Sequence, residues 1–406
     1  MNNQQIMRLI LTFFLILIPA RGAFAAEETA AGAKSAAESV NAFAFDMYAE
    51  LANSEGNLFI SPYSISSAMA MLYAGTSGEA EHEFRGVMHY PEEIHPGMSE
   101  LLNSLEADGT GELSVANAIW PHSGLRLLPS YVSVISDYYG GEATQFDYEN
   151  NWRDAEDAIN DWTAQNTRDM IKSLFRRDDL APRGREVTSL VLTNAVYFFS
   201  EWRQPFDKDR TFDSIFYGAA ESETEFMNQL NSFPYFETED FQLLEMPYEG
   251  GHRSFIAVLP RERGGIKSLE TALTAGNFAD WRASARRGRV DVYIPKFELE
   301  WEKELAPVFA SLGLKNIFEL SRYYFRNMTD SNDEMRVSRI IHKTRITLDE
   351  EKTEAAAVTG IGMVGVTSVQ PVLEPYEFRA DHPFVFFIAD NSTGAILFMG
   401  RYSEPE

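Results

Sequence analysis

The chain has 406 residues, with 35 Lys and Arg against 61 Asp and Glu, a formal net charge of −26, and no cysteine. This charge argues for a soluble protein and against nucleic acid or an anionic membrane as a partner. Without thiols, disulfides, cysteine lipidation and thiol chemistry are excluded, so stability has to come from the large core that a chain of this length can fill.

The first segment reads as an export signal. Arg8 is followed by an apolar run over residues 9–18, by Pro19 and by the small-residue triplet Ala23-Phe24-Ala25. That three-part pattern assigns residues 1–25 to a cleavable signal peptide and 26–406 to a mature chain that is secreted or periplasmic. The apolar run is too short for a membrane anchor. An A-x-A site in a chain without cysteine leans towards a bacterial source.

Past an Ala/Glu-rich lead-in that reads as disordered, Val40, Phe43, Ala44, Met47 and Leu51 recur at helical spacing, and Gly56 ends that helix. Residues 57–60 read as a short buried strand. Ser61-Pro62 then opens a helix with a hydroxyl cap and a proline in its first turn, and Ile65, Met69 and Leu72 form its stripe. A strand is predicted over 116–120, a helix over 128–139 and a longer helix over 159–175. Residues 186–199 read as a strand so continuously apolar that both its faces must be covered. Further strands are predicted over 253–259 and 289–294. A terminal hairpin, 383–389 with 395–402, closes through the turn Asp390-Asn391-Ser392-Thr393-Gly394. Helices dominate the first half and strands the second, with no Pro/Ser linker between them, which predicts one large α+β domain.

Little in the sequence points to catalytic or metal chemistry. The histidines His82, His89, His95, His122, His252, His342 and His382 include no HxH or HxxxH pair, so neither a metal site nor a cofactor is expected. Gly75-Thr76-Ser77-Gly78 lacks the spacing of a nucleophile elbow and follows a helix instead of a strand. Any pair of carboxylates chosen as acid and base would be arbitrary in so acidic a chain. The chain reads as an exported protein that is not an enzyme. Asn327-Met328-Thr329 and Asn391-Ser392-Thr393 match the glycosylation triplet.

One stretch resists assignment to a single element. Residues 348–378, LDEEKTEAAAVTGIGMVGVTSVQPVLEPYEF, begin as helix-forming Ala, Glu and Lys and turn Gly/Val/Thr-rich before Pro371 and Pro375. The middle is too apolar for a solvated linker and too rich in glycine for a helix. At period two, Thr353, Ala355, Ala357, Thr359, Ile361 and Met363 share one face, small first and bulkier later, as in a strand awaiting a sheet.

Around this stretch the sequence resembles the serpins, a family of serine-protease inhibitors. Residues 378–388, FRADHPFVFFI, match the family's C-terminal signature, and residues 57–65, NLFISPYSI, resemble its first strand-to-helix motif. Thr193-Asn194-Ala195-Val196-Tyr197-Phe198 with Trp202, and Ile294-Pro295-Lys296-Phe297, are further matching segments in the same order.

The resemblance implies a serpin fold in which residues of about 350–377 form a reactive-centre loop. It implies a hinge at Glu350, Glu351, Lys352, Thr353, Glu354, Ala355, Ala356, Ala357 and Val358. A polar shutter would comprise Ser61, Ser64, Asn194 and His342, and a breach Trp202, Lys296 and Glu350. Counting 17 residues from Glu350 places the reactive bond at Val366-Thr367. The extra length of the segment keeps Val364-Gly365 and Val369-Gln370 open as alternatives. Lys352 stands where inhibitory members usually have Gly. The implied activity is suicide inhibition by covalent trapping of a serine protease, by a monomer without cofactor. A small aliphatic residue at the bait position suits an elastase-like pocket, and a cysteine protease is the second target class. Two rival readings are a non-inhibitory serpin and an exported hydrolase. The first predicts bulky or charged residues at the leading inward positions, which are absent here. The second needs a catalytic constellation, and the sequence offers no recognisable one.

Overall fold

The computed structural model describes residues 21–106, 112–184, 186–350 and 374–405. Helix α1 (Arg21–Leu51) leads into strand β1 (Leu58–Ile60) and helices α2 (Pro62–Tyr73), α3 (Glu79–Val87) and α4 (Ile94–Glu106). Next come β2 (Glu112–Pro121), α5 (Pro129–Tyr139), β3 (Glu142–Ala143), α6 (Trp152–Asn166) and β4 (Leu190–Phe199). The chain then turns largely to strand, with β5 (Phe212–Tyr217), β6 (Glu221–Glu237), β7 (Phe241–Pro247) and β8 (Arg253–Pro260). Helices α7 (Ile266–Ala272) and α8 (Ala275–Ser284) precede β9 (Arg286–Pro295), β10 (Phe297–Glu304), α9 (Ala306–Leu312) and β11 (Arg339–Leu348). Strands β12 (Tyr376–Arg379), β13 (Phe384–Asp390) and β14 (Ile396–Tyr402) complete the order.

Two sheets result, and the α+β class expected from the sequence is the one observed. The larger runs β1-β14-β13-β8-β7-β6-β9-β12, with β5 beside β6; the smaller runs β10-β11-β4-β2-β3. In the smaller sheet β4 is antiparallel to β2 and parallel to β11, and β11 is antiparallel to β10. One apolar core lies between the sheets and against α1 and α2. A second fills the space between α6 and the outer face of β2 and β4. Strand β4 therefore has a core on each side, which accounts for its unbroken apolar sequence.

Several elements differ from the sequence-based expectation. The lead-in expected to be disordered is helical from Arg21, and Ala33, Ala36, Ala37 and Val40 are buried at i, i+3, i+4 and i+7. Small side chains let this part of α1 come close to α4, where a Cβ on Gly97 would meet the Gly32 carbonyl at 2.8 Å. The helix expected over 159–175 is α6, displaced towards the N-terminus. It stops at Asn166 because Arg168 and Asp169 take φ of 50° and 61°, and the Thr167 hydroxyl accepts from Ile171 N at 3.1 Å. Ile171, Leu174 and Phe175 are buried from the connection that follows. Strand β4 begins at Leu190, four residues later than expected. The 17-residue β6 escaped notice because its exposed first half alternates Glu221, Glu223 and Glu225 like a surface segment. The terminal hairpin forms as expected, with Gly394 at φ 77° in its turn.

Candidate functional site

The parallel pair β4/β11 lies inside the smaller sheet, with β10 on one side and β2 on the other. Its ladder runs from Arg339 opposite Val191 to Arg345 opposite Tyr197 and ends there. Outside it, β10 stays paired with β11 as far as Phe297 opposite Leu348, and β2 with β4 as far as Glu112 opposite Phe199. The two central strands therefore part at their heads while each keeps its outer partner. Phe198, Phe199, Trp202, Tyr248 and Leu348 line the cleft so formed. A chain leaving β11 and turning back would run antiparallel to both strands at once, the geometry in which ladder hydrogen bonds lie perpendicular to the strands.

The chain leaves β11 through a tied root. Trp202 stacks on Tyr248 at 4.8 Å between ring centroids, and its Nε1–H donates to the Asp349 carbonyl at 2.9 Å. Glu350 is 4% exposed. Its carboxylate accepts from the Thr211 hydroxyl at 2.7 Å and lies 3.1 Å from Lys296 Nζ, while its carbonyl accepts from Phe206 N at 3.2 Å. Burial works against the charge, but the hydrogen bonds from Thr211 and Lys296 outweigh it and hold the Glu350 pKa below the ordinary carboxylate value. With one partner almost wholly buried, this pair is no surface contact of negligible value.

A row of polar side chains crosses the sheet beneath the cleft. Asn117 of β2, Asn194 of β4 and His342 of β11 stand opposite one another in register. Ser61, the cap of α2, donates its backbone N–H to His342 Nε2 at 3.2 Å, so the ring proton sits on Nδ1 and is donated to Asn194 Oδ1. The Asn194 amide group in turn donates to Ser64 Oγ and to Asn117 Oδ1. Ser61 Oγ donates to the Leu397 carbonyl of β14 at 2.7 Å and accepts from Ser64 N at 3.3 Å. His342 has no exposed surface, and burial pushes its pKa down to about 3, so it is neutral at physiological pH.

Residues 38–405 match the family model described as Serpin (serine protease inhibitor). The chain belongs to the serpin family. This serpin is 35% identical over 379 residues to an uncharacterised serpin-like protein of Thermococcus kodakarensis, covering 92% of this chain and 86% of the relative. It is 33% identical over 378 residues to the leukocyte elastase inhibitor of Homo sapiens, covering 89% of this chain and 97% of the relative. The structure of a tumour suppressing serpin superposes with a TM-score of 0.81 at 22% identity, over 92% of this chain and all of that one, which shows the shared fold.

Within this serpin the structure brings Ser61, Ser64, Asn194 and His342 into one network and Trp202, Lys296 and Glu350 into another. Glu351, Lys352, Thr353, Glu354, Ala355, Ala356, Ala357 and Val358, and the bond Val366-Thr367, lie outside the described residues. Two members escaped the sequence reading. Asn117 left a signal, an amide flanked by apolar residues 115–116 and 118–121, whereas Thr211 in the polar run DKDRT left none. Both glycosylation triplets spend their amides on the fold. Asn327 donates to Thr76 O at 2.6 Å, and Asn391 to Gly251 O at 2.9 Å and Ser254 Oγ at 3.0 Å.

Proposed function

We propose that this serpin inhibits serine-type endopeptidases as a suicide substrate, by trapping the target as a covalent acyl-enzyme when the cut loop inserts between β4 and β11. The observation that carries the reading is the parallel seam, parted at its head directly beside the root tied by Glu350 and Trp202. In this reading the protease serine attacks the Val366 carbonyl, an ester forms, and the amide to Thr367 breaks with the proton going to the departing amine. Residues 350–358 are the hinge that enters first. The Trp202, Lys296 and Glu350 cluster is the breach, and Ser61, Ser64, Asn194 and His342 form the shutter that must open below it.

Val366 fits an elastase-like pocket, and the relative named a leukocyte elastase inhibitor supports that target class. The reading further makes the mature chain a monomer that is secreted or periplasmic. Incubation with pancreatic elastase is expected to give an SDS-stable complex and a released fragment whose mass begins at Thr367. Cleaved inhibitor alone, with no complex, overturns the proposal, and fragment masses beginning at Gly365 or Gln370 would move the bait bond.

A further inference from the structure

The β4/β11 seam also has a foot. Below its lowest pair, Arg339 opposite Val191, the segments leading into the two strands stay joined: Ser338 N donates to the Leu190 carbonyl at 2.8 Å and Ser189 N to Ser338 Oγ at 3.0 Å. Beside this junction lies a cavity of about 420 Å³, within the ~300–1,000 Å³ of ordinary small-molecule sites. Arg183, Glu186, Val187 and Thr188 line it from the β4 side, and Arg336 and Ser338 from the β11 side. Ala306 and Pro307, which follow β10, add apolar surface. A turn closed by Arg183 N to Glu186 O at 3.0 Å and by Glu186 N to Arg183 O at 3.2 Å, with Gly184 at φ 69°, fixes the first two.

The polar groups around this cavity are unevenly spent. Of its three carboxylates, Glu304 accepts from Ile340 N at 2.8 Å, from Ala306 N at 3.3 Å and from Arg339, and Asp179 accepts from Arg176 N at 2.7 Å. The third, Glu186, is 69% exposed and meets Arg336 at 3.6 Å across the foot of the seam. The donors are left over. Among the described residues the Arg183 guanidinium has no ion pair and the Thr188 hydroxyl no hydrogen-bond partner. Ser338 Oγ accepts from Ser189 N and keeps its own proton to give. Acids satisfied within the fold, beside guanidinium and hydroxyl protons that are not, make the cavity complementary to an anion. A guanidinium on each side of the seam, with Val187, Ala306 and Pro307 alongside, suits two carboxylates joined by a hydrocarbon chain better than a bare inorganic ion.

We propose that this cavity binds a short aliphatic dicarboxylate, held by Arg183 and Arg336 with Thr188 and Ser338, and that its occupancy fastens the foot of the seam. The binding stands on the cavity alone, whereas the fastening rests on the proposed insertion of the cut loop. Arg183 and Thr188 belong to the segment entering β4, and Arg336 and Ser338 to the segment entering β11. A strand that fills the seam to its foot moves the two apart by about 4.8 Å. A hydrogen bond does not stretch so far, so the ligand keeps one wall and loses the other. It therefore binds the uncut chain more tightly than the cut one. By linkage, the same factor counts against complete insertion, and an occupied cavity opposes the loop at its last step.

Calorimetric titration of the uncut full-length chain with succinate, glutarate and adipate tests the site. One-to-one binding of at least one of them is expected, with none for hexamethylenediamine, which has the opposite charge. Arg183→Gln and Arg336→Gln should each weaken binding about ten-fold, the effect of losing a hydrogen bond to a charged group. Arg183 is exposed and Arg336 half-buried, so both variants should fold. The chain cut in its loop, with the raised thermal midpoint of insertion, should bind about ten-fold more weakly than the uncut chain, having lost one such wall. Binding of none of the three acids, affinity unchanged in both arginine variants, or equal binding of the diamine overturns the site. Equal affinity for the uncut chain and the cut, up-shifted chain overturns the fastening. A cut chain whose midpoint does not rise overturns the insertion reading and the fastening with it, and the arginine variants of the uncut chain still decide the site.

Discussion

His342 of β11 faces Asn194 of β4 across the parallel seam, and its Nδ1–H donates to the Asn194 amide oxygen. Two strands that have to separate for a third to enter are thus held by a side-chain bond as well as by their ladder. Ser61 N fixes the tautomer from the α2 side, so the cap that starts a helix also sets which ring nitrogen crosses the seam. The cap of α2 and the contact between β4 and β11 are thus coupled through one imidazole.

That imidazole makes stability depend on pH. His342, lowered to about 3, and His95, lowered to about 4, are both held neutral by burial, whereas in the unfolded chain each takes a proton near 6.5. The unfolded state therefore binds more protons below 6.5, and the stability present above that pH is lost as pH falls towards the folded values. Each group contributes about 1.4 kcal/mol per pH unit in that window. Urea midpoints at pH 7.5, 6.5 and 5.5 should fall in that order, and His342→Gln should roughly halve the slope below 6.5. An unchanged slope would place the sensitivity elsewhere.

Asn117 should matter as much as the residues the sequence pointed to. It accepts from Asn194 and from Ser64 Oγ, the latter at 3.4 Å. Asn117→Ala leaves a buried amide short of an acceptor, a loss of about 1–2 kcal/mol in a urea titration. Asn117→Asp, which restores an acceptor, should recover part of it.

At the root, Glu350 and Lys296 offer a clean double-mutant cycle. Glu350→Gln keeps the shape and an acceptor for Thr211 but removes the charge facing Lys296 Nζ at 3.1 Å. Lys296 is 36% exposed, so its single loss should be mild, and the coupling between the two changes should come to about 1 kcal/mol at low salt. Because the Glu350 pKa is lowered, its contribution is present above 4.5 and fades as pH drops below that value. A coupling of zero at pH 7 would reduce the pair to a neighbour contact.

The sequence reached the family, and named seven residues that the structure gathers into two networks, for an identifiable reason. Ser61, Ser64 and Asn194 lie in short segments that resemble the family's motifs, and they and His342 are named together only by that resemblance. What brings them together is non-local: the register of three strands puts Asn117 opposite Asn194 opposite His342, and no spacing along the chain encodes it. The same applies to residues 170–179. Ile171, Leu174 and Phe175 have helical periodicity but are buried from a connection of turns and bends, so the period pointed to the wrong element. Thr211 sits in a run of polar residues and gains meaning only from Glu350, 139 positions away.

The largest effect expected concerns the cut protein. Inserting residues 353–364 exchanges one parallel ladder of seven register pairs, Arg339 opposite Val191 to Arg345 opposite Tyr197, for two antiparallel ladders. A net gain of about a dozen hydrogen bonds at ~1 kcal/mol each is on the order of 10 kcal/mol, as large as the whole stability of many domains. At ~2 °C per kcal/mol for a large domain, the thermal midpoint should rise by about 20 °C after a single cut in the loop. The fragment beyond the cut should stay attached, because β13 and β14 are buried strands of the larger sheet and Arg401 is bound to Glu270 at 2.7 Å. Calorimetry of the uncut protein and of the cut protein freed of protease measures the shift directly. A nicked chain with both fragments retained and an unchanged midpoint would mean that the loop does not enter the seam, whatever the protease does.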